Sequence, residues 1–480
     1  MMDTIVGRQA EIKKLERIYE SNRSEFVAIY GRRRVGKTYL VKELFKKRMA
    51  FWHTGLSPFD RDKTYLLRDQ LQAFYYSLQD YGWQGGSSPK SWLEAFRMLE
   101  KLLEQKDDGS RQVVFIDELP WMDTARSRFI PAFEHFWNGW ASKRDHIMLV
   151  VCGSATSWIE NNLINSKGGL YNRLTNEIKL YPFTLRECEE YFSRQHMKMS
   201  RYDIAQAYMV FGGIPHYLSL FEKGLSVAQN VDKLLFSRDA QLRNEFNRLF
   251  GSLFKNAEDH IKVVRHLASR RSGYSRDEIL KATGIKNGGG ATQILNALVE
   301  SGFVDAYVPF SARKKEQYKL ADAFSLFYLR FIDGQTGIDP QFWQKNNRSP
   351  LLNSWRGYAF EDLCFNHIHA IKESLGIAGV SATVSSWVVE SSSGKTEMQM
   401  DMIISRTDNV INLCEMKFYS APFTIDKHYD LKLRKRLLKL EETNRKASVL
   451  LTFITTFGLQ ENEYSGQVQN SLTLDDLFRS

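Results

Sequence analysis

The chain has 480 residues, of which 43% are hydrophobic and 25% charged, and its formal net charge is +10. These fractions are typical of a globular protein and exclude collagen-like, low-complexity and wholly disordered chains. The mild basic excess permits nucleic-acid binding without requiring it.

No apolar run reaches the roughly 18–20 residues of a membrane-spanning helix, so no membrane partner is expected. The first fifteen residues also lack the apolar segment of a signal peptide. The four cysteines are far apart in the sequence, which argues against a zinc site or a disulfide framework. These observations predict a cytoplasmic protein.

Short apolar runs alternate with segments of helical periodicity from residue 1 to about residue 181. This alternation predicts parallel strands joined by crossover helices, which is an α/β fold. The predicted strands are Phe26–Tyr30, Met49–His53, Val113–Ile116, Ile147–Cys152 and Ile178–Tyr181.

A phosphate-binding loop follows the first predicted strand. Residues 31–38 read GRRRVGKT and match the pattern G-x-x-x-x-G-K-[ST] at every required position, with a predicted helix over 39–46 behind them. The glycines allow main-chain N–H groups to surround phosphates, Lys37 would bridge the β- and γ-phosphates, and the Thr38 hydroxyl would bind Mg²⁺. The predicted nucleotide contacts in this segment are Gly31, Arg32, Arg33, Arg34, Val35, Gly36, Lys37, Thr38 and Tyr39. The three arginines could alternatively be only solvated.

Two carboxylates end the strand Val113–Ile116. Asp117 is predicted to hold the water shell of Mg²⁺, and Glu118 to polarise the attacking water. Apolar strands often end in acidic residues, but here the pair accompanies a phosphate-binding loop. The sequence therefore predicts binding and hydrolysis of a nucleoside triphosphate with Mg²⁺, and the resemblance given below implies that the nucleotide is ATP.

The pattern becomes helical from residue 182 to 255 and is interrupted at residues 211–215, where Gly-Gly and Pro must end a helix. Residues 256–322 contain a capping box at Ser275 and Glu278, an apolar helical stripe, and two predicted strands, Phe303–Val308 and Gln317–Leu320. This order predicts a winged helix.

Polar side chains of this segment face away from its apolar stripe, or lie at the tip between the two strands. A helix in the major groove with a basic wing on the phosphates would use such residues to contact DNA. A protein–protein role fits them equally well. The residues are Lys286, Asn287, Thr292, Gln293 and Asn296 on the helix, and Arg313, Lys314 and Lys315 at the tip.

A helical connector over 323–349 precedes a predicted α/β/α domain over 350–480. Its predicted elements are helix Asn353–Ile371, strands Ala382–Glu390, Glu397–Ser405 and Val410–Tyr419, helix Asp426–Thr443 and strand Ser448–Thr455. The later helix carries a basic stripe beside an apolar one, which could face either DNA or solvent. The basic residues are Lys432, Lys435, Arg436 and Lys439, and the apolar ones Leu433, Leu437 and Leu440.

The last two strands before that helix form a predicted hairpin centred near residue 408. Such pairing places Asp401 opposite Glu415, within one residue, and sets Lys417 on the same face as Glu415. Glu361, on the preceding helix, could supply a third acid. Two-metal cleavage of a phosphodiester uses such a set, with Glu361, Asp401 and Glu415 holding Mg²⁺ and Lys417 orienting the water. A solvent-face ion pair between Glu415 and Lys417 is the alternative.

The segments GRRRVGKT, FIDEL and VVCGSATSW, in this order, resemble the AAA+ class of P-loop ATPases. More narrowly, the chain resembles a prokaryotic predicted-ATPase family that adds a winged helix and a C-terminal nuclease-like domain. The spacing of Asp401, Glu415 and Lys417, with Glu361 as the helical acid, is similar to the PD-(D/E)xK nuclease signature.

The resemblance also implies further residue roles. Val6, Gly7 and Arg8 would precede a helix that covers the adenine, and Ser154 would sense the γ-phosphate. Arg173 would be an arginine finger for a neighbouring subunit, which implies a homo-oligomer, and Pro215 would belong to a lid. The chain departs from other AAA+ proteins because it lacks their lid arginine. Ser154 could instead be an ordinary strand-end serine, and Arg173 a member of a surface ion pair.

The predicted division is an ATPase core over 1–181, a helical lid over 182–255, a winged helix over 256–322, a connector over 323–349 and a nuclease-like domain over 350–480. The predicted function is an ATPase that acts on DNA and controls a Mg²⁺-dependent nuclease. The alternative is a nucleotide-dependent switch that binds DNA or a protein partner and carries an inactive nuclease-like domain.

Overall fold

A computed structural model of the chain describes residues 5–57, 66–254, 256–310, 315–335, 337, 339–390 and 396–479. Arg313 and Lys314, predicted at the wing, lie outside the described residues. The chain divides into two compact units. The first comprises Met1–Pro182, Asn247–His260 and Thr292–Gly302, and the second comprises Phe183–Phe246, Ile261–Ala291 and Phe303–Ser480.

A five-stranded sheet forms the centre of the first unit. Its strands are β1 (Glu25–Tyr30), β2 (Met49–Thr54), β3 (Gln112–Asp117), β4 (Ile147–Gly153) and β5 (Asn176–Lys179). They lie in the order β2-β3-β4-β1-β5, and every neighbouring pair is parallel. All residues of β1, β3 and β4 are buried, as expected for a parallel sheet covered on both faces. The five predicted strands are confirmed, and the last begins and ends two residues earlier than predicted.

Helices cover this sheet. They are α1 (Gln9–Tyr19), α2 (Lys37–Phe45), α3 (Leu67–Asp80), α4 (Trp92–Gln105), α5 (Phe129–His135) and α6 (Thr156–Ile159). An aromatic cluster joins α3, α4 and α5 to the sheet, with the rings of Trp92 and Phe129 5.1 Å apart edge to face. Because β4 lies between β1 and β3, the residues that follow these three parallel strands meet at one edge of the sheet.

The helices that follow in the chain are α7 (Leu185–Arg194), α8 (Arg201–Phe211), α9 (Pro215–Leu218), α10 (Val227–Val231), α11 (Glu245–Leu253), α12 (Ala257–Leu267), α13 (Arg276–Thr283) and α14 (Gly289–Glu300). The predicted break after α8 is confirmed, because Gly212 and Gly213 both have φ of 65° and Pro215 begins α9. A Cβ atom at Gly213 would lie 2.3 Å from the carbonyl oxygen of Phe183, so only glycine fits there.

A small antiparallel sheet lies in the second unit. It has the order β6-β8-β7, with β6 (Tyr274–Ser275), β7 (Val304–Tyr307) and β8 (Gln317–Leu320). The predicted capping box at the start of α13 is confirmed: the Ser275 N–H donates to Glu278 Oε2 at 2.7 Å, and the Glu278 N–H to Ser275 Oγ at 3.4 Å. The strand β6 is only two residues long and was not predicted.

The C-terminal part of the second unit contains a mixed sheet in the order β13-β12-β11-β10-β9. Its strands are β9 (Ala382–Glu390), β10 (Thr396–Arg406), β11 (Val410–Lys417), β12 (Ser448–Thr455) and β13 (Asn470–Thr473), of which β13 was not predicted. The strands β9 to β11 are antiparallel, and β11 to β13 are parallel. The helices of this part are α15 (Ala323–Phe331), α16 (Phe342–Asn346), α17 (Pro350–Asn366), α18 (Ile368–Ser374) and α19 (Lys427–Thr443).

The helix predicted over residues 353–371 is two helices, α17 and α18, which meet at His367. The buried His367 ring accepts the N–H of Leu185 at Nε2, at 2.9 Å, and its Nδ1 donates to the Leu363 carbonyl, also at 2.9 Å. These bonds tie the junction to α7.

Across the described residues, none of the helices has the length and apolar character needed to cross a bilayer.

Candidate functional site

The loop between β1 and α2 has the backbone of an anion-binding turn. Gly31, Arg34 and Gly36 have φ values of 132°, 72° and 93°, which is the left-handed region. A Cβ atom at Gly31 would lie 2.3 Å from the Leu180 carbonyl oxygen, so this position requires glycine. Gly36 is the N-cap of α2, so the positive end of the helix opens onto the loop. The loop and the helix lie where the sequence predicts them, although α2 begins at Lys37 rather than at the predicted Tyr39.

Lys37 is buried inside this loop. Its ammonium donates to the carbonyl oxygens of Gly31 and Arg32, at 2.9 and 3.0 Å, and to Ser154 Oγ at 3.3 Å. Burial lowers the pKa of Lys37, and the negative charge of Glu118 opposes that shift. Phosphate oxygens could replace these neutral acceptors and form stronger, charge-assisted hydrogen bonds.

Thr38 and Asp117 lie side by side at the ends of α2 and β3. The Thr38 hydroxyl donates to Asp117 Oδ2 at 2.9 Å, and the Cys152 thiol donates to Oδ1 at 2.6 Å. Burial and then the charge of Glu118 raise the pKa of Asp117. A hydroxyl beside a carboxylate is a set of hard oxygen donors, which fits Mg²⁺. Cys152 was not predicted at the site, although the β3–β4 register, which pairs Ile116 with Val151, leads directly to it.

Glu118 is hydrogen-bonded to Ser154, the residue after β4. The Ser154 N–H donates to Oε2 at 3.0 Å and its hydroxyl to Oε1 at 2.7 Å. Glu118 has φ of 47° and ψ of 45°, a strained conformation for a residue other than glycine. Since Lys37 donates to the same hydroxyl, Ser154 connects the lysine to the acid. The hydrogen bonds of Ser154 to Glu118 explain why a polar residue follows β4. The role of Ser154 as a γ-phosphate sensor stays a prediction.

Arg8 supports the loop from outside. Gly7 and Arg8 both have positive φ, and the Arg8 guanidinium donates to the carbonyl oxygens of Val35, at 3.3 Å, and Tyr181, at 2.6 Å. Arg8 and Val6 are both buried. The sequence contained no sign of this contact, because Arg8 and Tyr181 are 173 positions apart. That Val6, Gly7 and Arg8 lie near the adenine stays a prediction.

The remaining predicted nucleotide-site residues differ in exposure. Arg32 is 6% exposed, so it is not a solvated cation, whereas Arg33 lies with its guanidinium 5.9 Å from the Trp121 ring. Tyr39 is exposed on the first turn of α2. Arg173 is also exposed, and the described part of the chain contains no ion pair for its side chain.

Pro215 begins α9 in the second unit, and its role in a lid stays a prediction. The finger role of Arg173 likewise stays a prediction, although the surface ion pair that was its alternative is not found among the described residues.

A second cluster lies in the C-terminal sheet. The β10–β11 register pairs Met402 with Cys414, and one step further along it sets Asp401 opposite Glu415, as the hairpin predicts. The Lys417 ammonium is 3.6 Å from Asp401 Oδ2 and 3.5 Å from Glu415 Oε2. The two acids and the lysine therefore converge at the end of the hairpin, and the Glu415–Lys417 contact is not a solvent-face pair, because Glu415 is 0% exposed.

Two residues of α19 complete this cluster and were not assigned to it from the sequence. The Tyr429 hydroxyl donates to Glu415 Oε2 at 2.5 Å, and the Arg436 guanidinium donates to Oε1. Arg436 was predicted in an outward-facing basic stripe, and this is wrong, because its side chain turns inward to neutralise a buried carboxylate. Lys432 and Lys435 of the stripe are exposed as predicted.

The carboxylates of the cluster carry shifted pKa values. Burial and then the charge of Glu415 raise the pKa of Asp401 to about 6, and burial and then the charge of Asp401 raise the pKa of Glu361 to about 8. Burial opposes protonation of Lys417, but the charges of Glu415 and Asp401 outweigh it and raise the pKa of Lys417. Such shifts are typical of functional clusters.

The Arg271 guanidinium lies 3.5 Å from the Glu361 carboxylate. Across the described ranges, no three His, Cys, Asp or Glu side chains are grouped so that they could hold a metal ion. Glu361, Asp401 and Glu415 do not form such a group, although the charge of Asp401 acts on Glu361, and their role in holding Mg²⁺ stays a prediction. Asp401 and Glu415 remain a pair of hard oxygen donors of the kind that Mg²⁺ binds, with Glu415 shared with Arg436.

Comparison with known proteins finds one family model that matches the N-terminal part of the chain. The family described as "ATPase domain predominantly from Archaea" matches residues 5–221. The chain is 24% identical, over 360 residues, to "Uncharacterized protein MJECL04" of Methanocaldococcus jannaschii, covering 74% of this chain and 75% of that protein. It is 42% identical, over 43 residues, to "Uncharacterized ATP-binding protein MJ0423" of the same organism, covering 9% of this chain and 73% of that protein.

Among solved structures, the chain is similar to the Walker-type ATPase PABY2304 of Pyrococcus abyssi, with a TM-score of 0.47 and 18% identity, over 68% of this chain and 97% of that one. It is also similar to the ORC2 protein of Aeropyrum pernix in its ADPNP–ADP complexes, with a TM-score of 0.40 and 15% identity, over 68% of this chain and 95% of that one.

Proposed function

We propose, from the match of residues 5–221 to this ATPase domain family, that the chain binds ATP with Mg²⁺ and hydrolyses it. The observation that carries the proposal is one network at the edge of the parallel sheet. In it Lys37 contacts Ser154, Ser154 contacts Glu118, and the Thr38 hydroxyl bonds Asp117.

Each residue of this network has a chemical task in the proposal. The loop N–H groups and Lys37 bind the β- and γ-phosphates, and Thr38 and Asp117 would hold Mg²⁺, which supplies positive charge to the phosphate oxygens. Glu118 orients the attacking water and accepts its proton. Ser154 fixes the Glu118 carboxylate through two hydrogen bonds, which keeps it beside Lys37.

ATP binding and ATP hydrolysis, measured separately, test this proposal. We expect Lys37→Ala to lose both ATP binding and ATP hydrolysis, because it removes the buried ammonium that would contact the phosphates inside the loop. Glu118→Gln should still bind ATP but hydrolyse it about 10²–10⁴-fold more slowly, since the amide cannot accept the proton. A wild-type chain that binds no nucleotide, or a Glu118→Gln variant that hydrolyses at the wild-type rate, would contradict it.

A second proposed function concerns the C-terminal cluster. The convergence of Asp401, Glu415 and Lys417 supports Mg²⁺-dependent cleavage of DNA phosphodiesters. Asp401 and Glu415 would hold Mg²⁺, which stabilises charge on the scissile phosphate, while Lys417 orients the water that attacks phosphorus. Arg436 must release Glu415 for the carboxylate to bind a cation.

Supercoiled plasmid incubated with Mg²⁺, with and without ATP, tests the nuclease. We expect nicking by the wild type and none by Asp401→Ala. If the wild type leaves the plasmid intact, the alternative holds, in which the C-terminal domain is inactive and the chain is a nucleotide-dependent switch for DNA or a protein partner. Lys37→Ala then abolishes that function, while Glu415→Ala does not.

The finer parts of the proposal are a winged helix over 256–322 that contacts DNA or a protein, and a homo-oligomer in which Arg173 reaches the neighbouring nucleotide. The exposure of Lys286, Asn287 and Gln293 supports the first, and that of Arg173 supports the second. A cytoplasmic location is part of the same proposal.

A further inference from the structure

A cavity of about 900 Å³ opens beside the acidic cluster of the second unit. Glu361 and Lys417 are among the residues that line it, so a substrate of that cluster would be held in this space. The other walls come from α8, from the first turns of α17 and from the residues just after β11.

The cavity favours one of the two forms of nucleic acid. Pockets that enclose one small ligand span about 300–1,000 Å³, so this one is large enough for a short stretch of chain. A duplex keeps its bases paired and stacked inside the helix, so it cannot lay a base against the walls of this cavity. A strand whose bases are unpaired can enter and bring one phosphate to Lys417.

The side chains of the walls are those that bind unpaired nucleotides. Tyr358 and Tyr419 are 44% and 53% exposed. The Arg271 guanidinium packs on the Tyr358 ring with its carbon 4.2 Å from the ring centre, so a base would stack on the opposite face of that ring. A third ring, Tyr202, already stacks on Phe418 at 4.9 Å and on Phe457 at 5.6 Å, which leaves Tyr358 and Tyr419 as the stacking faces. Aromatic faces stack on every base, so such walls bind a single strand with little sequence preference.

Polar groups lie between these rings. Arg356 is buried and donates to the Asn347 carbonyl at 2.6 Å and to Asn353 Oδ1 at 3.2 Å, which orders the start of α17 along the cavity. Arg348 is exposed at the same wall. Lys417 is already paired with Asp401 and Glu415, and Arg356 donates to Asn347 and Asn353, so we expect stacking rather than phosphate charge to supply most of the affinity.

We infer that the C-terminal site takes a single-stranded nucleic acid, such as a frayed end or a displaced strand, with its bases on Tyr358 and Tyr419 and a phosphate at Lys417. This inference rests on the proposed action of the cluster on phosphodiesters. It names the substrate class, which that proposal leaves open.

Binding without metal tests the inference independently of cleavage. Fluorescence anisotropy in EDTA would use the Asp401→Asn chain, a labelled single strand of about 12 nucleotides and the duplex of the same sequence. We expect the double variant Tyr358→Ala, Tyr419→Ala to bind the single strand about 10-fold or more weakly and the duplex unchanged. Tyr358→Phe, Tyr419→Phe keeps both rings and should bind normally, and Tyr76→Ala, an exposed tyrosine of α3, is the matched control.

Photocrosslinking of a single strand containing 5-iododeoxyuridine to the wild-type chain gives a measurement that needs no variant. We expect the crosslinked peptides to contain Tyr358 or Tyr419. Crosslinks only elsewhere, or equal single-strand affinity for the alanine and phenylalanine variants, would overturn the inference. Single-strand binding at these tyrosines with the single strand left uncut in Mg²⁺ contradicts the nuclease proposal alone, and cleavage of the single strand in Mg²⁺ that the alanine variants do not reduce contradicts this inference alone.

Discussion

Arg8 holds two carbonyl oxygens that belong to distant parts of the first unit, one in the phosphate loop and one after β5. Hydrogen bonds from a charged donor contribute about 1.5–3 kcal/mol each when the acceptor is buried. Arg8 would therefore favour ATP binding indirectly, because a loop that already has its binding shape loses less conformational freedom when the phosphates bind.

We therefore expect Arg8→Ala to weaken ATP binding about 10-fold and to lower the free energy of unfolding by about 2 kcal/mol. Titration with a fluorescent ATP analogue and thermal unfolding measure the two effects. Arg17→Ala, an exposed arginine of α1, the helix that begins directly after Arg8, is the control and should change neither. An Arg8→Ala chain with wild-type affinity would show that the loop keeps its shape without this contact.

Glu361 should make stability depend on pH in the absence of metal. Its pKa is about 8 in the folded chain against an ordinary value of 4.5, so the folded state keeps a proton that the unfolded state loses. Below about pH 4.5 both states are protonated, and the free energy of unfolding falls as the pH rises from about 4.5 to about 8.

Glu361→Gln removes this titration. The variant should melt at a higher temperature than the wild type at pH 8 and at nearly the same temperature at pH 4.5, measured in EDTA. Glu373→Gln, which changes an exposed carboxylate of α18, should follow the wild type at every pH. Parallel melting curves for Glu361→Gln and wild type across this range would contradict the shifted pKa.

The site residues that the sequence identified are those whose partners lie nearby in the chain or in a regular register. Gly31 to Thr38 are consecutive, and the loop pattern fixes their roles together. Asp401 and Glu415 face each other because a period of two and a tight turn determine the register of a hairpin. By contrast, the contacts of Arg8 with Tyr181 and of Arg436 with Glu415 depend on how distant segments pack, and no local pattern encodes them.

The accuracy of the predicted helices and strands also depends on whether a local sequence pattern determines them. Strands β9 and β12 have the predicted ends, because each is a long run of apolar and β-branched residues. Strands β6 and β13 have two and four residues, too few for periodicity to show. The break between α17 and α18 was missed because neither Gly nor Pro marks it, and the His367 ring occupies the junction instead.

Helix α19 sets the charge of the acidic cluster by delivering Arg436 to Glu415. We expect Arg436→Met to increase the affinity for divalent cations, because the methionine leaves the Glu415 carboxylate without its guanidinium. The variant should melt at a lower temperature than the wild type in EDTA, and Mg²⁺ should raise its melting temperature more than that of the wild type. Lys435→Met, an exposed neighbour on the helix, is the matched control. An equal response of both variants to Mg²⁺ would show that Arg436 does not compete with a cation.

At the scale of the whole molecule, the chain combines a unit that contains the phosphate-binding loop with a second unit that contains the cavity of about 900 Å³ and exposed basic side chains. The formal net charge of +10 favours association with a polyanion, and the strength of that association should fall as salt rises. The two proposed functions are coupled only if occupancy of one site changes turnover at the other.

The final prediction is that DNA raises the rate of ATP hydrolysis by the full chain. We expect an increase of about 3-fold or more, declining as salt rises from about 50 to about 200 mM because phosphate contacts release counterions. Phosphate release with single-stranded DNA, duplex DNA or neither measures the effect. Lys37→Ala should show no turnover under any condition, and Glu118→Gln should bind DNA with ATP present while turning over little. Stronger stimulation by the single strand than by the duplex would indicate that binding in the cavity of the second unit raises ATP hydrolysis. A rate of hydrolysis that neither form of DNA changes would favour the alternative function, a nucleotide-dependent switch that binds a protein partner.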